Sequence, residues 1–230
     1  MRTRTMNRSA AGRARSPLRA DGGQGTGRPT QSRFMESALR LFAALTLPEA
    51  LVDRLVSLQR ILDSHWPARS VRWVRREQLH LTLRFYGNVP SEEAPALTEA
   101  LRVACAGTRP LSLAIAGLGA FPNTRRPRVL WAGVTGDLEP LERLEQRIQS
   151  ATAAFGDHRD TRSFQPHLTL GRIGGDRERQ AAPPPNARWD QIENDLVGSW
   201  TATAVHLIRS ELDPAGARYT TLGVAPFPGV

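Results

Sequence analysis

No lysine occurs in the 230 residues, and all 31 basic side chains are arginine. Cysteine occurs once, at Cys105. That excludes an intrachain disulfide and a multi-cysteine metal site, and a lone cysteine in helical sequence reads as a small buried apolar residue. No apolar run approaches the ~20 residues that a membrane-spanning helix needs. The basic N-terminus lacks the apolar stretch of a secretory signal. A cytoplasmic protein with no membrane partner is therefore expected. Large apolar side chains are nearly missing from residues 1–33, which hold eight arginines against one acid, Asp21. Such a segment cannot bury enough surface to offset its ordering entropy. Residues 1–36 are expected to be a disordered basic tail, and residues 37–230 the folded domain. The tail carries most of the net charge of +9; residues 34–230 hold 23 basic and 21 acidic side chains. Charge alone thus lends only weak support to an RNA partner.

The hydrophobic fraction of 40% is enough for a real core. The length suits one large domain or two small intimate lobes. Leu39–Leu45 reads as a strand. Pro48 opens a helix with Leu51, Leu55, Leu58 and Leu62 at helical spacing. Val71–Val74 and Leu79–Tyr86 read as strands, the second closed by Gly87-Asn88. Ser91 is placed to cap a helix with Leu97 and Leu101 on its buried face. Leu111–Ile115 and Arg128–Val134 are further strands, and Asp137 starts a third helix with Leu141, Leu144 and Ile148 facing inward. His167–Ile173 is a strand, and residues 174–190, with Gly174-Gly175 and Pro183-Pro184-Pro185, read as a flexible insertion. Strands near Ala204–Ser210 and Arg218–Val224 follow, joined by a turn at Asp213–Gly216. Strands punctuated by helices without strict alternation indicate an α+β class with antiparallel sheets.

One tetrapeptide occurs twice: His-Leu-Thr-Leu, at 80–83 and at 167–170. The chain has five His, 17 Thr and 27 Leu, so about 0.005 copies are expected by composition, and two copies arise in roughly one such chain in 10⁵. Side chains alternate across a strand. His80 and Thr82 therefore share one face and Leu81, Leu83 and Phe85 the other; His167 and Thr169 likewise oppose Leu168 and Leu170. A duplication kept for packing accounts for the leucines, but not for the match at both polar positions. Two imidazoles presented beside hydroxyls, 87 residues apart, suit two lobes facing each other across a cleft.

This is equipment for in-line displacement at phosphorus. One group takes a proton from the entering water while another protonates the leaving oxygen on the opposite side. Imidazole, with an ordinary pKa near ~6.5, serves in both roles at neutral pH. The hydroxyls of Thr82 and Thr169 can donate to the non-bridging oxygens. Neither histidine has an acidic cluster beside it in sequence, and carboxylate-rich metal motifs are absent, so no metal or other cofactor is expected. Arg84 has the parity to reach a cleft-bound RNA backbone. His65, His158 and His206 read as surface or structural residues. Tyr86, Phe121 and Tyr219 can stack a base, with packing the simpler role for each.

The paired His-x-Thr-x motifs resemble the 2H phosphoesterases, and within them the bacterial RNA 2′,3′-cyclic phosphodiesterases, also called 2′-5′ RNA ligase-like proteins. The resemblance covers roughly 39–224 and extends to Arg40-Leu41-Phe42, Val71-Arg72-Trp73-Val74, Phe121-Pro122, Pro127–Trp131, Ser210 and Gly216–Tyr219. It implies two pseudo-symmetric lobes of antiparallel sheet with flanking helices around a central cleft. It implies hydrolysis of a 2′,3′-cyclic phosphate RNA end to a 2′-phosphate, with His80 as proton donor and His167 as proton acceptor. Arg172 matches a position that the family uses to contact phosphate. Strict alternation puts Arg172 on the leucine face, and Gly171 offers a twist that could bring it back. The competing readings are 2′-5′ RNA ligation or another cyclic nucleotide or ADP-ribose phosphate on the same scaffold, a non-catalytic nucleotide-binding module, and an RNA-binding protein working through its tail. A monomer is expected.

Overall fold

Leu41, Ala43, Ala44 and Leu45 are wholly buried, so the first strand, β1 (Ala38–Leu45), is covered on both faces and lies inside its sheet. The computed structural model describes residues 38–158, 163–173, 196–213 and 216–228. The expected tail 1–36 and insertion 174–190 lie outside the described residues. After β1 come α1 (Glu49–Asp63), β2 (Arg72–Trp73), β3 (Leu81–Pro90), α2 (Ala94–Cys105), β4 (Leu111–Phe121), β5 (Val129–Gly136), α3 (Leu138–Ala151), β6 (His167–Arg172), β7 (Leu196–Ala202), β8 (Ala204–Glu211) and β9 (Arg218–Pro226). The strands form one antiparallel sheet in the order β7-β4-β5-β6-β3-β1-β8-β9, with β2 on β6. The class is α+β, as expected.

The sheet has two related halves, and the 87-residue spacing of the motifs runs through both. Ala44 pairs with Thr82 and Leu45 with Leu81 in one half; Trp131 pairs with Thr169 and Ala132 with Leu168 in the other. A helix sits between the paired strands each time: β1-α1-β3 and β5-α3-β6. The halves join where Leu81 pairs with Leu168, the first leucine of each motif, both fully buried. The helices cross over. α1 packs on β6 and β7, and α3 packs on β3. The stripe Leu51, Leu55, Leu58 and Leu62 is buried on α1, as its spacing requires.

Several boundaries differ from the sequence reading. β3 does not close at Gly87-Asn88 but runs on to Pro90. Leu41 pairs with Gly87 and Phe42 with Phe85, so Tyr86 is an extra residue, and the φ of +74° at Gly87 serves a bulge rather than a turn. The Asp157 carboxylate holds that bulge by accepting from the Asn88 backbone N–H at 2.8 Å and its side-chain amide at 2.9 Å. Ser91 does not cap α2. A 3₁₀ turn, Ser91–Glu93, intervenes, and Pro95 lies in the first turn of the helix proper. β4 is longer than expected, and β7 was not foreseen, because Gly198 and Ser199 interrupt its apolar alternation. The turn after β8 closes as expected, with the Gly216 N–H donating to the Asp213 carbonyl at 2.8 Å. No helix among the described residues is long and apolar enough to cross a membrane.

Candidate active site

His80 stands one residue before β3 and His167 opens β6. Each ring is fixed by the same local bond. Nδ1 of His80 donates to the Gln78 carbonyl at 2.7 Å, and Nδ1 of His167 to the Gln165 carbonyl at 2.7 Å. A carbonyl accepts only, so it selects the Nδ1–H tautomer and leaves Nε2 with its lone pair. Nε2 of His80 accepts from the Thr82 hydroxyl at 2.9 Å. The glutamines show that the repeat is longer than the tetrapeptide: Gln-x-His-Leu-Thr-Leu at 78–83 and again at 165–170. Antiparallel pairing at Leu81–Leu168 sets His80 opposite Thr169 and Thr82 opposite His167. All four, with Arg172, line one cavity of about 540 Å³.

The imidazoles differ in their surroundings. The ring of His80 is wedged against Phe42, 4.7 Å between centroids, and Tyr219 at 5.5 Å. Burial lowers its pKa from 6.5 to about 4; the Gln78 carbonyl opposes the shift, and the positive fields of His167 and Arg172 add to it. In the free protein at neutral pH His80 is therefore uncharged. His167 meets Phe121 edge-on at 4.9 Å and Trp131 at 6.2 Å.

A sequence model described as LigT-like phosphoesterase matches residues 45–131, which include the first motif. A Methanothermobacter thermautotrophicus protein named RNA 2′,3′-cyclic phosphodiesterase is 35% identical over 81% of this chain and 97% of its own length. The chain belongs to the LigT-like 2H phosphoesterases. Among solved structures, TT0787 of Thermus thermophilus superposes with a TM-score of 0.67 at 30% identity, covering 83% of this chain and 99% of its own. Escherichia coli LigT in complex with 3′-AMP gives 0.64 at 27% identity, covering 83% and 99%.

On this LigT-like frame Arg172 reaches the cleft in spite of its parity. Thr169 pairs with Trp131 while Gly171 pairs with Leu130, so Leu170 is an extra residue and the alternation inverts beyond it. Gly171 supplies close approach rather than the twist. A Cβ there would come within 2.6 Å of Val71 Cγ1 and 3.0 Å of the Trp73 ring. The bulge is tied from α1. The buried Gln59 amide donates to the carbonyls of Leu170 and Val74, 2.8 Å each, and the Val74 N–H donates to Leu170 at 2.9 Å.

The same irregularity recurs in β3 and overturns the reading of Arg84. Ala43 pairs with Arg84 and Ala44 with Thr82, so Leu83 is the extra residue, 87 positions before Leu170. Arg84 turns inward, 5% exposed, and its guanidinium donates to the Gln149 carbonyl at 2.6 Å and the Thr152 hydroxyl at 3.0 Å beneath α3. Phe85 takes the cleft position instead, with Arg40 stacked 4.5 Å over its ring. Alternation puts Phe85 on the leucine face and gives no role to the cavity-lining Arg75; the signal available for Phe85 was its place three residues beyond the motif threonine, the place Arg172 holds in the other half.

The remaining aromatic and imidazole groups sort themselves. Tyr86 is fully buried and bonds Thr152 at 3.2 Å. Tyr219 lines the cavity. His65 bonds the Ile61 carbonyl at the end of α1. His158 abuts Phe85, and His206 lies on β8 beside Thr46, its pKa lowered by burial; none of these three lines the cavity.

Proposed function

We propose that this chain hydrolyses RNA 2′,3′-cyclic phosphate ends to 2′-phosphates by acid–base catalysis between His80 and His167, with no metal ion. The observation that carries the reading is the junction Leu81–Leu168, which puts both motifs into one cavity. A relative bearing the name RNA 2′,3′-cyclic phosphodiesterase, 35% identical over 81% of the chain, supports the substrate class.

Water attacks phosphorus and gives its proton to Nε2 of His167. The bond from phosphorus to the 3′ oxygen breaks, and that oxygen takes a proton from Nε2 of His80. Thr82, Thr169 and Arg172 donate to the non-bridging oxygens as charge builds there. His80, uncharged in the free protein, needs a proton to act as donor. An anionic phosphate beside it favours the charged form and offsets the fields of His167 and Arg172. Substrate thereby arms its own acid. One chain supplies both motifs, so a monomer suffices.

The test is hydrolysis of a 2′,3′-cyclic nucleotide with a chelator present. Wild type should keep its rate, and His80→Ala and His167→Ala should each lose at least ~10²-fold. Full activity in either variant, or loss of the wild-type rate to the chelator, would overturn the reading.

A further inference from the structure

Arg40, Arg72, Arg75 and Arg172 line the cavity. None of the four has a carboxylate partner among the described residues. Some arginines elsewhere do find carboxylates: Arg76, next to Arg75, is held by Glu49 and Asp53, and Arg102, Arg143 and Arg209 each meet a glutamate. Asp213 is the one acid among the described lining residues. Arg72 and Arg172 pair directly across β2 and β6. Residues so opposed point to the same face, and like charges there are destabilising. The arrangement asks for an anion from outside.

One phosphate does not satisfy it. A cyclic phosphodiester carries a single negative charge, and Arg172 with the two threonines already serves it in the reaction proposed above. Arg72 and Arg75 are left with no counter-charge and no part in the chemistry. An aromatic ring lies among the cations, since Arg40 covers Phe85 in the lining. Cations that track a backbone, interleaved with rings that take bases, are how proteins hold single-stranded nucleic acid.

We propose that Arg72 and Arg75 form a second phosphate subsite, which takes the phosphodiester on the 5′ side of the terminal nucleotide, so that the preferred substrate is an RNA strand and not a cyclic mononucleotide. The proposal rests on the reading that the terminal cyclic phosphate lies between the two imidazoles. The strand then leaves the cleft past β2.

The test compares a cyclic mononucleotide with a dinucleotide ending in the same 2′,3′-cyclic phosphate. Wild type should show at least a tenfold higher kcat/KM on the dinucleotide. Arg72→Ala and Arg75→Ala, with Arg72→Gln to preserve the length of the stem, should lose at least fivefold more on the dinucleotide than on the mononucleotide. Absence of a wild-type preference, or equal losses on both substrates, would overturn the subsite. A second arm needs no turnover: binding of a fluorescent RNA ending in a 2′-phosphate, followed against salt. Removing one phosphate contact should make the log–log slope shallower by about 0.7, whereas unchanged slope and affinity in Arg72→Ala would count against the subsite. If wild type turned over neither substrate but the slope moved as expected, the proposed reaction would fall and the subsite would stand.

Discussion

In β3 the side chain that the bulge delivers to the cleft is Phe85, carrying Arg40 on its face; in β6 the equivalent side chain is Arg172. The two halves share their strand pairing, their 87-residue spacing, their carbonyl-anchored imidazoles and the displaced leucine at 83 and 170. They differ in what they set against a ligand, which is a ring on one wall and a guanidinium on the other. A symmetric cleft would accept a nucleotide in either direction. On the proposed function, this one sets a base over the first wall and a phosphate on the second. The shared pairing and spacing thus account for the frame, and departure from symmetry at a few positions accounts for its direction.

Swapping the character of the walls tests that difference most directly. Arg172→Ala should lower kcat/KM about a hundredfold on any 2′,3′-cyclic phosphate, because it removes a donor to developing charge. Phe85→Ala should cost about tenfold, from lost stacking, and only where the substrate has a base; ribose 2′,3′-cyclic phosphate should be indifferent to it. Equal losses for both variants on both substrates would erase the contrast. A smaller effect separates the bulges themselves. Gln59→Leu takes a donor from the buried carbonyls of Leu170 and Val74, and the denaturant midpoint should report about 1–3 kcal/mol lost. Activity should fall in the manner of Arg172→Ala, since the β6 bulge is the one disturbed. A variant as stable as wild type would show that the tie does not hold the bulge.

The mildest test distinguishes the imidazoles. His80 acts as donor only when charged, and burial holds its pKa at about 4 in the free protein, so the donor-ready form is scarce at neutral pH before substrate binds. Burial disfavours the charged ring, so Phe42→Ala, which opens His80 to water, should move the titration of that ring, followed by NMR, upward toward 6.5. A titration that stays in place would mean that Phe42 does not shield the ring.

The repeated motif was legible because its polar positions have no use in packing. The helices were legible from leucine spacing, and α1 and α3 hold the predicted stripes. Strict alternation misplaces Arg84 and Arg172 for one shared reason, although the family resemblance already puts Arg172 in the cleft. Counting by twos assumes an unbroken ladder, and a displaced leucine in each motif strand reverses the residues that follow it, in β3 until the second bulge at Tyr86 restores the count. Nothing in the residues Leu83 or Leu170 marks such a displacement; it is set by pairing with β1 and β5, which sequence spacing does not report. The stretch Leu196–Ala202 escaped notice as a strand because its glycine and serine break the alternation that would have marked it.

The exchange of helices bears on how the molecule is assembled. α1 is encoded with the first histidine but braces the strand of the second, through Gln59 on Leu170 and Arg54 on Val197; α3 repays this from the other side, where Gln149 and Thr152 receive Arg84. Each half therefore takes part of its cover from the other. A chain severed between them would yield two fragments, each exposing the apolar side of its motif strand, and the two imidazoles would come into register only when both fragments were present together.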